Sequence, residues 1–380
     1  MADESDVSQI VTTFLLDTCR LPPRRSKHRF EAVLHSVNAA TGHPPDDKEA
    51  EHIPLITGSV AEFYIEPMLP HVGDIDVMLY RNTHLAIPRG HPPPTQLPAE
   101  FHNYVKVYEI TDSHVRGYVY LLLRYLLSKR TDNDKYEYFE CDVKPCDVVT
   151  ISRKEDESNM TLHGPYLLHI SQREGEGSTN IHGPALLRDN SHLSQLSVDF
   201  VRCVRCLSWP SQASDWPTRH RNYGWPDSTT LDRVVSNGCD VVGMTHRRCR
   251  QHEMCCRAQW RLSFSRAEIV LINSWMPVQQ ITYHLLRVYV KTERLTESAD
   301  NSGAATLSNY HIKTLMLWAC ELKPRSWWTD STENVNLVGI FVELLNTLSV
   351  WLAGTRCPHY FNGYCNKEFG ILNCPPHITQ

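Results

Sequence analysis

Ile56-Thr57-Gly58-Ser59 is followed, fifteen positions after its serine, by Asp74-Ile75-Asp76 at the head of the run GDIDVMLYR (73–81). That run alternates, which reads as a β-strand with Asp74, Asp76 and Met78 on one face and Ile75, Val77 and Leu79 on the other. The preceding stretch IPLITGSVAEFYIEPML (53–69) reads as a strand end, a turn at Gly58-Ser59 and a short helix ending near Pro67. Such a turn offers backbone N–H groups and a hydroxyl, the donors a triphosphate accepts. Two aspartates at i and i+2 on one strand reach a single site, and hard carboxylate oxygens are what Mg²⁺ takes. A pair of ions about 4 Å apart needs a third acid. Asp199, in the second alternating strand LSVDFVRCV (196–204), is the candidate. A lone Asp-x-Asp or Gly-Ser is common; the two in this order point to nucleotidyl transfer.

The rest of the chain sets bounds around that core. Its 380 residues are too many for one small core, and 41% hydrophobic with 21% charged residues is a globular balance. The formal net charge of -5 excludes a uniformly basic nucleic-acid coat but allows a local basic patch. No apolar run reaches the roughly 20 residues of a membrane-spanning helix. The N-terminus, MADESDVSQIVTTFLLDTCR, is acidic before its apolar stretch, the reverse of a secretory leader. The 13 cysteines are scattered and read mostly as buried thiols in a reducing compartment, so a cytoplasmic protein is expected.

Helices are expected over 5–19, 115–130, 265–273, 277–292, 307–322 and 333–353. Residues 86–98 are Pro-rich loop, and short strands are expected at 146–151 and 166–170. Texture changes after residue 205, where Trp-Pro recurs at 209, 216 and 225 and helical patterns take over. The expectation is an α+β chain of two lobes: 1–210, a mixed sheet with flanking helices, and 211–380, mostly helical.

At this point the residues resemble a family. The Gly58-Ser59 and Asp74/Asp76 core, Trp260-Arg261-Leu262-Ser263-Phe264-Ser265 with Glu268, Ser308-Asn309-Tyr310-His311-Ile312-Lys313-Thr314, and Pro358-His359-Tyr360-Phe361 with Asn366 together resemble the cyclic GMP–AMP synthase-like receptors, animal Mab-type nucleotidyltransferases. The resemblance spans about residues 50–370 and implies the bilobal nucleotidyltransferase fold. It implies that Ser59 contacts the terminal phosphates and that Asp74, Asp76 and Asp199 hold two Mg²⁺ (or Mn²⁺). Thr57 and Arg261 then help to select the base, with Ser263 and Ser265 nearby and Glu268 at the pocket edge. Tyr310 stacks on a purine, flanked by Ser308 and Lys313. Arg287 aligns with a family lysine that reaches phosphate, with Lys291 one turn on. The plainer readings are a helix N-cap for Ser265, a core aromatic for Tyr310 and a capping or pairing role for Glu268.

By the same resemblance the chain is an innate immune sensor that joins two NTPs (ATP, GTP or others) into a cyclic dinucleotide when a nucleic-acid duplex binds, with a homodimer on the activator allowed. The zinc-binding insertion of the vertebrate enzyme is missing after WRLSFS, where SRAEIVLINSWMPVQQITYHLL carries no cysteine. This departure points to double-stranded RNA rather than DNA as activator. His246, Cys249, His252 and Cys255 have spacing that a structural zinc accepts, but they also fit a polar loop with incidental thiols, and the cofactor expected is magnesium rather than zinc. Arg20, Arg24, Arg25, Lys27 and Arg29 are the candidate activator contacts, with further basic runs at Arg219-His220-Arg221 and 247–250. A linear oligonucleotide synthetase and a non-catalytic protein of the same fold are the rival readings.

Overall fold

A computed structural model describes residues 52–62, 75–113, 117–141, 180–182, 185–188, 198–244, 259–295, 307–329, 337–354 and 357–362. The expected helix at 5–19, the basic run 20–29, Asp74, the strands at 146–151 and 166–170, the 246–256 His/Cys cluster and Asn366 lie outside the described residues.

The chain enters through β1 (His52–Thr57), turns at once into α1 (Gly58–Glu62) and returns in the long β2 (Ile75–Pro88). Next come β3 (Tyr104–Asp112), β4 (Tyr118–Lys129), β5 (Tyr136–Glu140), β6 (Asn180–His182), β7 (Ala185–Arg188) and β8 (Val198–Cys206). After α2 (Ser228–Ser236), β9 (Cys239–Gly243) and β10 (Trp260–Ser263) rejoin the sheet. The described chain then runs helically through α3 (Ser265–Ile272), α4 (Pro277–Thr292), α5 (Asn309–Leu322), α6 (Arg325–Trp328) and α7 (Leu337–Ala353).

The ten strands form one mixed sheet in the order β1-β2-β3-β4-β10-β9-β8-β7-β6, with β5 added at β4. β2 also pairs with β8, so β2, β3, β4, β10, β9 and β8 close on themselves. β2 runs parallel to β3 and to β8; every other pairing is antiparallel. The sheet continues past the division expected at residue 210, since β9 and β10 complete it.

The expected helix at 115–130 is a correction: residues 118–129 are β4, hydrogen-bonded to β3, β5 and β10. Its run YVYLLLRYLL lacks a clean polar/apolar alternation because a strand packed on both faces needs apolar residues on both. Leu121 and Leu123 pack in the core shared with the helices, whereas Leu127 joins a second cluster with Met78, Tyr80 and Val107. The helices expected over 265–273, 277–292 and 307–322 are present as α3, α4 and α5, and that expected over 333–353 is present from Leu337 on as α7.

Helix ends follow from local chemistry. Asp227 caps α2, its Oδ1 accepting the Thr230 N–H at 2.9 Å, and this holds the Asp227 carboxyl below its ordinary range. Pro277 opens α4, where the Gln279 Oε1 reaches back to the Met276 N–H at 2.9 Å. Ser308 is the N-cap residue of α5, its N–H donating to His311 Nδ1 at 3.0 Å. No helix among the described residues is long and apolar enough to cross a membrane.

The segment 207–227 joins the β8 end of the sheet to the helices through aromatic packing. Trp209 and Trp216 lie against Phe361, and Trp209 against Phe264. Each such buried ring removes about 150–250 Å² from water, worth roughly 4–6 kcal/mol before entropy is charged against it. Arg219 and Arg221 correct the reading of that run as nucleic-acid contacts. Arg219 lies 4.6 Å from the ring centroids of both Trp318 and Tyr360. Its Nη2 donates to the buried Glu321 carboxylate at 2.5 Å, and Arg221 Nε reaches the same oxygen at 3.4 Å. Tyr360 OH donates to it as well, at 2.7 Å. The two guanidiniums pin the 207–227 segment to α5 and to the 357–362 strap.

Candidate active site

Directly paired residues on neighbouring strands project from the same sheet face, so register alone fixes which side chains meet. Thr57 of β1 pairs with Asp76 of β2, and Asp76 pairs with Asp199 of β8. The two aspartates are therefore side by side on adjacent parallel strands, about 5 Å apart at the backbone. The same ladder carries that face onward: Tyr80 pairs with Cys203, Cys203 with Val242, and Val242 with Arg261. Ser263 follows two residues after Arg261 on this face. Its Oγ lies 3.9 Å from the Met78 sulfur, two residues beyond Asp76. The curl of the closed sheet thus brings the WRLSFS strand back over the aspartate strand.

Gly58 makes the close approach possible. Its φ of +63° turns β1 into α1 directly over Asp76, and a Cβ there would lie 1.9 Å from Asp76 Oδ2. Thr57, itself buried, donates from Oγ1 to the Asp76 carbonyl at 3.4 Å. The cradle around one carboxylate and the all-oxygen donor pair fit a hard divalent cation such as Mg²⁺.

A third described carboxylate on this face, Asp240 of β9, has a different office. It is fully buried and its Oδ2 accepts from Arg266 Nε at 2.7 Å. The nearby Arg205 guanidinium donates to the carbonyls of Cys206, Asn237 and Cys239. Asp240 is neutralised inside the sheet. The sequence reading passed over it, since only the Arg266 contact distinguishes it from a metal-site acid.

The remaining expected residues fall into two groups. Ser265 opens α3 as its first helical residue; Phe264 is the N-cap, so the N-cap reading of Ser265 does not hold. Its Oγ lies 3.1 Å from that of Ser263. Tyr310 is half-buried on α5, with burial and then the neighbouring Cys357 and Glu268 pushing its phenol up while Arg261 pulls it down. The charge of Arg261 acts on both Tyr310 and His359, and the His359 ring centroid is 6.1 Å from that of Tyr310.

Glu268 belongs to a second cluster. Lys313 Nζ contacts Glu268 Oε2 at 2.9 Å and also binds Glu62 at the end of α1. Tyr283 OH of α4 donates to Glu62 at 3.3 Å. Burial pulls the Lys313 ammonium down, yet Glu268 and Glu62 outweigh it and hold it well above the ordinary lysine range. α1, α3, α4 and α5 are stitched together here, immediately behind the Gly58 turn. Glu62 carried no signal in the sequence. Arg287 is buried on α4 over the Tyr283 ring, at 5.5 Å, whereas Lys291 is exposed. The described backbone of Ser59 lies in α1.

A sheet carrying paired aspartates beside a glycine turn, closed against a helical lobe, is the architecture of a nucleotidyltransferase. The chain belongs to the Mab-21 family: residues 101–274 match the Mab-21 protein nucleotidyltransferase domain and residues 280–366 the Mab-21 protein HhH/H2TH-like domain. A "Protein mab-21-like" from Aedes aegypti is 29% identical over 167 residues, 43% of this chain. The match covers 42% of that relative's length.

Proposed function

We propose that this chain joins two nucleoside triphosphates into a cyclic dinucleotide and does so on binding a nucleic-acid duplex. The observation that carries the reading is the register pairing of Asp76 with Asp199 beneath Gly58. Asp76 and Asp199, with Asp74, hold the divalent ions, which when bound acidify the attacking ribose hydroxyl and stabilise the leaving pyrophosphate. Asp199 takes the hydroxyl proton; the alkoxide oxygen bonds to the α-phosphorus as the bond to pyrophosphate breaks. A second attack in the same pocket closes the ring and releases a second pyrophosphate. Arg261 and Tyr310 hold the base of the acceptor nucleotide, Ser263 and Ser265 line its approach, and Thr57 steadies the Asp76 backbone. Glu268, joined to Lys313, positions the pocket edge.

Arg20, Arg24, Arg25, Lys27 and Arg29 are the proposed activator contacts, with double-stranded RNA as activator and immune sensing as the role. Arg219 and Arg221 are already engaged by Glu321 and do not add to that face.

The test incubates the full chain with four labelled NTPs, Mg²⁺ or Mn²⁺, and RNA or DNA duplexes, and reads the product's mass. A phosphatase-resistant cyclic dinucleotide that disappears in Asp76→Asn and Asp199→Asn is the expected result. A linear oligonucleotide identifies an oligonucleotide synthetase instead. Absence of pyrophosphate release under every condition sinks the enzymatic reading.

A further inference from the structure

α1 carries the Gly58 turn, and its own length does not hold it in place. It has five residues, Gly58–Glu62, far below the roughly 12 at which a helix persists alone. At about 1.5 Å rise per residue its two ends lie about 6 Å apart, so a shift at Glu62 reaches the turn almost undiminished. The front end is fixed by the sheet, where Thr57 pairs with Asp76. The back end is fixed by side chains from three other helices. Asn273, the C-cap of α3, donates from Nδ2 to the Ala61 carbonyl at 3.3 Å. Tyr283 of α4 donates its phenol proton to Glu62 Oε2 at 3.3 Å, and Lys313 of α5 pairs with Oε1. Both carboxylate oxygens are thereby engaged, by donors from different helices.

Burial makes this grip exacting. Glu62 is 2% exposed and Tyr283 1%, and an ionised carboxylate at that depth holds its place only with its donors present. Burial first, and then the Glu62 charge, push the Tyr283 phenol far up, so it stays a donor. Lys313 is shared with Glu268 at 2.9 Å, so the ammonium keeps a partner when Glu62 is altered. Glu62 stands at the opposite end of α1 from the Asp76 cradle and acts through the helix, not on the reacting atoms.

We propose that Glu62 is a positioning residue for nucleotidyl transfer: clamped by Tyr283 and Lys313, it fixes the far end of α1 and so holds the Gly58 turn against the Asp76 carboxylate. The inference rests on the reading of Asp76 and Asp199 as the ion-binding pair. Released at Glu62, α1 pivots about its strand end. The turn fits Asp76 so closely that a single added Cβ at Gly58 collides with Oδ2, so a pivot of about 1 Å reseats the carboxylate, and a displacement of that size loses on the order of 100-fold in rate. The loss falls on kcat, because Arg261 and Tyr310, the proposed base contacts, stand on β10 and α5 rather than on α1.

The experiment measures Mg²⁺-dependent pyrophosphate release and amide hydrogen exchange in the full chain, for the parent, Glu62→Ala, Glu62→Gln, Tyr283→Phe and Glu321→Gln. Glu321 is the matched control, a buried carboxylate on α5 whose partners are Arg219, Arg221 and Tyr360 rather than α1. Glu62→Ala should lower kcat about 100-fold with KM for NTP within about threefold. It should also speed exchange of the 57–62 amides by at least about tenfold while those of β9 are unchanged. Glu62→Gln keeps the side chain's length and an acceptor for Tyr283, and should restore kcat to within about fivefold of the parent. Glu321→Gln should lower the melting temperature yet leave kcat within about threefold below the melt. A folded Glu62→Ala with parental kcat, or a Glu321→Gln that loses kcat as steeply as Glu62→Ala, overturns the proposal. Where Glu62→Ala does not fold, Tyr283→Phe carries the test: it deletes one hydrogen bond and keeps the ring, should lower kcat about fivefold, and overturns the proposal if kcat and the 57–62 exchange are both parental. A parent that releases no pyrophosphate under any condition overturns the nucleotidyltransferase reading and this inference with it, whereas an active parent indifferent to Glu62→Ala overturns this inference alone.

Discussion

Gly58→Ala is the sharpest single test of the site. The added Cβ starts 1.9 Å from Asp76 Oδ2, 2.9 Å from its Cγ and 3.2 Å from its Cβ. Ordinary contact begins near 3.4 Å, so the carboxylate must retreat by about 1.5 Å, or the β1–α1 turn must lift by as much, on van der Waals grounds. A φ of +63° adds strain of about 1–2 kcal/mol for any residue with a Cβ. The stability cost is therefore modest, a shift of several degrees in melting temperature. The catalytic cost is larger, because misplacing a reacting group by about 1 Å loses on the order of 100-fold in rate. Pyrophosphate release should fall by at least about 100-fold, while thermal melting and circular dichroism show a folded chain. Gly58→Ala with activity within about threefold of the parent would refute the claim that Gly58 cradles a working carboxylate.

Three further outcomes follow from the same geometry. Asp76 and Asp199 are like charges on adjacent strands, so Asp199→Asn should leave the metal-free chain as stable as the parent or more so, and should abolish the rise in melting temperature that Mg²⁺ produces in the parent; an equal Mg²⁺ response in the variant counts against the ion site. Lys313→Met strands Glu62 and Glu268 without their shared cation and should cost about 3–5 kcal/mol in urea unfolding, with Glu62→Gln/Lys313→Met recovering part of it; a loss below about 1 kcal/mol removes the network from the fold's support. His52, His84, His284 and His359 are held neutral chiefly by burial, at about 4 for the first and about 3 for the others. Their unfolded forms bind protons near pH 6.5, so the stabilisation is complete above that pH and drains away as pH falls toward 4 and 3, by up to about 1.4 kcal/mol per pH unit for each ring. Urea titrations from pH 7 to 4 should show this slope, and His359→Asn should lessen it; a flat profile contradicts it.

The strands beginning at Ile75 and Val198 and the turn at Gly58 were legible in the sequence because period-two alternation and a turn glycine are local properties. The helices of the second half were legible for the same reason. β4 was not. Its apolar run reads as helix until β3, β5 and β10 are seen on its edges and cores on both its faces. Charge misled in a similar way at Arg219 and Arg221, whose carboxylate partner, Glu321, lies 100 or more residues on.

Composition and periodicity determined the α+β class and singled out Asp76 and Asp199, and the family resemblance added Arg261 and Tyr310. Which of them meet was decided only when the sheet closed. Asp76 and Asp199 are 123 positions apart, and only the parallel register of β2 with β8 makes them neighbours. Likewise Glu62 gains Lys313, Asp240 gains Arg266, and His359 its place beside Tyr310, through packing between distant elements. A residue's type states what chemistry it can do; strand register and burial decide what it faces, and no local pattern along the chain encodes either.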